Sequence, residues 1–318
     1  MAARLGLDFA TVDVFTQTRF EGNPLAIVKV PPSSTLTQSQ KQNIAKEFNY
    51  SETVFLHGPQ ESQGYEWTID IFTTDQELPF AGHPTIGTAC HVLSEVAKSD
   101  RNVREDVIHA KLNVKAGRID VHYVISEKVA KAAIPHDVYI HMKKYSCESL
   151  LSLQPGLAKA GRSGISGLKA GSDVVSVVKG MTFILVELED EDALRVVSTT
   201  SSAVIAELDD GWNQSFVGTY FYVRLADSEN GTLNLRTRMI DGLLEDPATG
   251  SAASALTGYL SLTQGKPNQT LKFAVEQGVE MGRRSNIGVE VCMAEIHGID
   301  SINLVGTAVQ VMSGRLEI

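Results

Sequence analysis

The stretch EDPATGSAASAL, positions 245–256, sets an Asp-Pro directly ahead of a run of Ala, Ser, Thr and Gly, with no bulky side chain before Leu256. Small residues fill little core volume, so such a run needs a reason. Proline has a preset φ and no N–H to satisfy, so Asp246-Pro247 reads as a helix start. The following positions, Ala252, Ala255 or Leu256, and Tyr259 or Leu260, keep helical spacing and are small or apolar almost all round. A helix of that kind is buried on every side rather than on one face. A second stretch, HPTIGTACHVL from His83, lies over DPATGSAASAL from Asp246 with Pro84 on Pro247, Gly87 on Gly250, Thr88 on Ser251, Ala89 on Ala252 and Leu93 on Leu256. The two lie half a chain apart in strand-rich surroundings, which reads as an internal duplication. Each half then becomes a set of strands around its own buried helix.

The bulk numbers fit two domains. The chain has 318 residues, 43% hydrophobic and 21% charged, an ordinary globular composition. No apolar run approaches the roughly 18 residues that span a bilayer, and MAARLGLDFATVDVF lacks the pattern of a signal peptide. Three cysteines, Cys90, Cys147 and Cys292, are too few and too odd for a disulfide framework and point to a reducing, cytoplasmic location. A net charge of -10 argues against nucleic acid as a partner. A membrane partner is not expected either.

Strands dominate the pattern. FATVDVF, LAIVKV, ETVFLH and YEWTIDIFT fill the first third, and VIHAKLNV, RIDVHYVI, DVVSVVK, TFILVEL, TYFYVRL, LNLRTRM, LKFAV, IGVEVCM and NLVGTAVQVM follow. Helices are expected over 37–49, after a Thr cap, near 145–153, and over roughly 190–208. The stretch 156–171, rich in Gly and Ser, reads as a loop. Many short strands without regular strand–helix alternation indicate α+β with antiparallel sheets. The boundaries read as a first half over 1–124, completed by the C-terminal strand 303–318, and a second half over 125–302.

The chemistry gathers at the two helix starts. Free N–H groups and a positive dipole end make each mouth suited to a substrate carboxylate. Close packing explains the small residues of one copy equally well; the repeat matters because each copy carries a titratable residue, His83 or Asp246. If the halves face one another, those side chains meet in a cleft. Glu52, between Ser51 and Thr53 at a strand start, is a third candidate. Half-buried at a cleft, it would have a raised pKa suited to proton transfer near neutral pH; as a solvated surface residue it would not. Other signals fail. GLAKAGRS at 156–163 has Arg162 where a P-loop needs Lys, no Gly-x-Ser-x-Gly elbow or GxGxxG loop occurs, and His136 and His141 lack a metal-ligand pattern.

The segments DVFTQTRFEGNPLAIV, NYSETVFL, FTTDQELPFAGHPTIGTA and EDPATGSAASAL, in that order, resemble the phenazine-biosynthesis-like isomerases, the PhzF-like family, which share a fold with diaminopimelate epimerase. VEQGVEMGRRS and LVGTAVQVMSG extend the likeness to nearly the whole length. The resemblance implies two pseudo-symmetric halves, each a β-barrel-like antiparallel sheet wrapped around a central helix, with the active site between them, and a homodimer. It implies that Glu52 shuttles a proton between two carbons, as the family's glutamate does on a dihydro-hydroxyanthranilate. His83, Asp246 and Ser251 would hold the substrate's amino and carboxylate groups, with the Gly82 N–H beside them. Asn23 of Gly-Asn-Pro is a further binding candidate, although a turn explains it equally well. Related epimerases carry two cysteines at the helix mouths; here Cys90 lies two turns inside its helix, which disfavours a two-thiol racemase. Arg284 stands where many members have Pro and puts the shape of that loop in question. The expected function is a cofactor- and metal-independent isomerase of a small carboxylate-bearing metabolite. A non-catalytic binding member and a one-base amino-acid epimerase or racemase stay open.

Overall fold

The computed structural model describes residues 6–58, 64–100, 103–159, 171–212 and 216–318. Two compact units emerge: Met1–Ala133 with Val305–Ile318, and Ile134–Leu304.

In the first unit, β1 (Gly6–Val14) pairs antiparallel with β2 (Asn23–Val30) on one side and with the C-terminal β18 (Ala308–Glu317) on the other. Helix α1 (Gln38–Phe48) carries the chain to β3 (Thr53–His57), parallel to β2. Its start is fixed by a capping box between Thr37 and Gln40, and its end by Asn49 in the left-handed region. β4 (Glu66–Phe72) runs antiparallel to β3, and the two-residue β5 (Glu77–Leu78) turns back along it. The central helix α2 (Gly82–Ser99) then leads to β6 (Val107–Val114), parallel to β4, and on to the antiparallel β7 (Gly117–Val124) and β8 (Val129–Ala133).

Every residue of α2 from Gly82 to Leu93 is buried, and the helix packs on β1, β2, β3, β6, β7, β8 and β18. Sheet therefore surrounds it. Glycine permits the approach: a Cβ on Gly87 would come within 2.6 Å of Val14 Cγ2 and 2.7 Å of Leu25 Cδ2. Ile86 and Leu93 are wholly buried on this helix, each contributing about 1.5–3 kcal/mol.

The second unit repeats the plan. β9 (Tyr139–Ile140), α3 (Cys147–Leu153) and α4 (Pro155–Lys159) precede β10 (Asp173–Val178), which pairs antiparallel with β9 and β11 (Met181–Glu187). After α5 (Glu191–Arg195), β12 (Phe216–Arg224) lies parallel to β11, and β13 (Leu233–Asp241) lies antiparallel to β12. The short β14 (Leu244–Asp246) folds back on β13 ahead of α6 (Gly250–Gln264), and β15 (Thr270–Gln277) returns parallel to β13. β16 (Ser285–Met293) pairs antiparallel with β15, and β17 (Ile299–Gly306) follows. α6 packs on β10, β11, β15 and β16. The pairing sequence of β1 through β7 thus recurs in β10 through β16. The fold is α+β; the described strand pairs are mostly antiparallel, and the parallel pairs β2–β3, β4–β6, β11–β12 and β13–β15 are joined by helix-bearing crossovers as parallel strands require.

Several sequence readings change. The helices start elsewhere: α2 begins at Gly82 after an extended Ala81, and α6 begins at Gly250 after an extended Thr249, leaving Pro247 outside. Pro84 sits third in its helix, where an N–H would still lack a partner, so proline marks the first turn without marking its first residue. The repeat register shifts accordingly by five residues. Four positions after the short strand in each unit, Gly82 matches Gly250; Pro79 then matches Pro247, and His83 matches Ser251 rather than Asp246. The expected helix over 190–208 closes at Arg195. Beyond it, Ser and Thr side chains compete for backbone groups, as where Thr200 Oγ1 donates to Ser202 O. Finally, NLVGTAVQVM is not one strand: it breaks at Thr307 between β17 and β18. Of the loop expected over 156–171, 156–159 belong to α4, and 160–170, including the rejected P-loop Arg162, lie outside the described residues.

Candidate active site

In the first unit Glu52 sits between the α1 C-cap and β3, and the wrapping of sheet around α2 brings His83 to it. His83 Nε2 lies 3.4 Å from Glu52 Oε2, with the two side chains only 6% and 16% exposed. That oxygen is buried and accepts no hydrogen bond. Burial pushes the Glu52 carboxyl up to about 7, a rise tempered by a hydrogen bond from Ser51. Loss of hydration penalises the carboxylate and so favours the protonated acid. Ser51 Oγ in turn reaches Asn23 Oδ1 over a long 3.5 Å. Asn23 is 1% exposed at the head of β2, so it backs Ser51 and offers little surface to a ligand. The turn before it needs its glycine: at φ 69°, a Cβ on Gly22 would fall 2.3 Å from Val14 O. The first intrahelical bond of α2 runs from Thr85 N to Ala81 O, so the Gly82 and His83 N–H groups have no partner within the helix.

In the second unit Asp246 ends β14, and its Oδ2 accepts a 2.6 Å hydrogen bond from Thr249 Oγ1. The first α6 bond runs from Ala253 N to Thr249 O, leaving the N–H groups of Gly250, Ser251 and Ala252 without an intrahelical partner. Ser251 stands second in its helix, as His83 does in α2. Behind Asp246, the buried Arg238 grips Glu245 through Nε and Nη2 at 2.7 and 2.8 Å, and its Nη1 donates to Val197 O at 2.6 Å. Gln277, unremarked in the sequence, also reaches this loop. The signal for it was present: in LKFAVEQ, Leu271, Phe273, Val275 and Gln277 all point inward, and the last is polar.

Other candidates resolve as structural. Cys90 lies inside α2, and burial pushes its thiol up to about 12, far from a thiolate at neutral pH. His141 bonds Ser176 Oγ and accepts from Asp209 N. Arg284 is half-exposed and pairs with Glu276, which also binds Arg236. Among the described residues no group of three or more His, Cys, Asp or Glu is arranged to hold a metal ion, and no helix is long and apolar enough to cross a membrane.

Comparison with known proteins identifies relatives of the whole chain. Over 315 residues the chain is 30% identical to an uncharacterized isomerase of Mesorhizobium japonicum, covering 98% of this chain and 99% of that one. It is 28% identical over 304 residues to the trans-2,3-dihydro-3-hydroxyanthranilate isomerase of Pseudomonas aeruginosa, covering 91% and 95%. The crystal structure of a Bacillus anthracis phenazine biosynthesis protein of the PhzF family superimposes with a TM-score of 0.76 at 20% identity, covering 99% of this chain and all of that one. These relatives define the protein as an isomerase. Residues 12–314 match the family model for phenazine biosynthesis-like protein (PhzC-PhzF), and the chain belongs to that family.

Proposed function

We propose that the protein moves a proton between two carbons of a small carboxylate-bearing metabolite, with Glu52 as the single acid/base. The observation that carries this reading is a buried carboxyl, raised to about 7 and 3.4 Å from His83 Nε2, while the Cys90 thiol is pushed away from thiolate. At neutral pH such a group is populated in both forms, so one residue serves as base and then as acid. The carboxylate takes a proton from an activated C–H; the released electron pair enters the adjoining π system and shifts the double bond. The carboxylic acid so formed exchanges its proton with solvent and then protonates a second carbon. His83, Gly82, Asp246 and Ser251 bind the polar groups of the substrate, with helix-start N–H groups donating to a carboxylate. Asn23 acts behind Ser51. No step in this scheme calls on a metal or organic cofactor. A homodimer and a cytoplasmic location belong to the same reading, the first carried by the family resemblance and the second by the three unpaired cysteines; sedimentation velocity tests the dimer.

The first compound to offer is trans-2,3-dihydro-3-hydroxyanthranilate, the substrate in the name of the Pseudomonas aeruginosa relative, followed by small amino- and hydroxy-carboxylates. In deuterated water the wild-type protein is expected to convert its substrate with deuterium entering at carbon. Glu52→Gln should lower that rate by about 10²–10⁴-fold. Retained exchange in the variant removes Glu52 from the mechanism.

A further inference from the structure

Gln277 closes β15 wholly buried, and its side chain is spent on the loop that leads into α6. Its Nε2 donates to Asp246 O at 2.7 Å and to Thr249 Oγ1 at 3.0 Å, while its Oε1 accepts from Thr249 N at 3.3 Å. The Tyr220 hydroxyl, also buried, lies 3.0 Å from Gln277 Oε1 and from Thr237 Oγ1. One amide therefore ties down both Asp246 and the N-cap of α6, and Thr249 passes the constraint to the Asp246 carboxylate. Burying so many polar groups carries a cost that a packed apolar pair would avoid.

The other unit shows that the scaffold does not require it. Thr237 stands opposite Gln277 in the parallel pair β13–β15. In the matching pair β4–β6, Thr68 stands opposite Asn113, and the next positions hold Ile69 and Val114, both buried and apolar. There Ala116 N donates to Pro79 O in the loop before the helix, and Thr85 Oγ1 donates to Ala81 O. The same strand pairing thus folds with an apolar pair in one unit and a polar network in the other. The polar version occurs where the loop presents an acid.

We propose that Gln277 is a positioning residue: it fixes Asp246 and the first turn of α6 in the arrangement that binds substrate. This rests on the assignment of Asp246 and Ser251 to the substrate. Two variants test it in the full chain: Gln277→Met, which keeps volume, and the double change Thr237→Ile with Gln277→Val, which copies the pair of the first unit. Amide exchange read by mass spectrometry needs no substrate. Peptides covering 246–252 should exchange about tenfold faster in either variant, with α2 and β10–β11 peptides unchanged as the sign of an intact fold. With trans-2,3-dihydro-3-hydroxyanthranilate, KM should rise about tenfold while the pH midpoint set by Glu52 stays in place. Unchanged exchange over 246–252 overturns the proposal. Asp246→Asn separates the two readings: if it leaves KM unaltered, the substrate role of Asp246 falls. If it raises KM while the Gln277 variants do not, the positioning role falls.

Discussion

At the scale of single residues the decisive fact is that Glu52 is held where its charge is unwelcome. Its pKa of about 7 lies above the ordinary 4.5, so the unfolded chain releases the proton first as pH rises. The contribution of the protonated group to stability is complete below pH 4.5 and is lost as pH climbs through 7, by about 3 kcal/mol in all. Glu52→Gln abolishes this loss. Urea unfolding should show the variant stabilised by about 2 kcal/mol more at pH 8 than at pH 5. An equal effect at both pH values contradicts a buried, raised carboxyl. Activity should share the same group: kcat/KM is expected to bend near pH 7 in the wild type. The sequence singles out Glu52 through its Ser-Glu-Thr setting. It does not tell a solvated glutamate from a desolvated one, because burial here is imposed by α2, a helix 30 residues further along the chain.

Among the elements, those with local signals match their sequence readings. Helix α1 carries its own capping box, and VIHAKLNV coincides with β6 because alternation alone defines it. The two-residue strands β5 and β9 have too little length for a period. The register of the repeat was misread for a related reason. Matching small residues drew His83 onto Asp246, whereas the true helix starts depend on the extended backbone of Ala81 and Thr249, which no single side chain announces. The loop at α6 makes its own prediction. Gly278 has φ 75°, and a Cβ there would lie 2.5 Å from Arg283 O and 2.6 Å from Pro247 O, both backbone atoms that cannot rotate away. Gly278→Ala should cost about 2 kcal/mol or more in denaturant unfolding. A change under about 0.5 kcal/mol would show that this backbone yields easily.

For the whole molecule, the duplication was legible in outline from two small-residue helices half a chain apart, and the recurrence of strand pairing from β1–β7 in β10–β16 gives it physical form. The last strand belongs to the first unit, and nothing in the pattern of NLVGTAVQVM marks the break at Thr307. β18 faces solvent along much of its length, so its alternation is weak, yet it pairs with β1 from Gly6 to Val14. Deleting residues 305–318 should leave β1 with an open edge and the unit unfolded; limited proteolysis is then expected to cut within 6–133 before 134–304. Survival of the first unit without β18 would mean that this pairing is dispensable.

The measurement that bears hardest on the mechanism is the isotope content of product formed in deuterated water by the wild type and by Glu52→Gln. A single carboxyl that exchanges its proton with solvent predicts conversion with deuterium at the newly protonated carbon in the wild type, and conversion and exchange both lowered by about 10²–10⁴-fold in the variant. Conversion and exchange by Glu52→Gln at the wild-type rate would contradict it and assign the proton to another group.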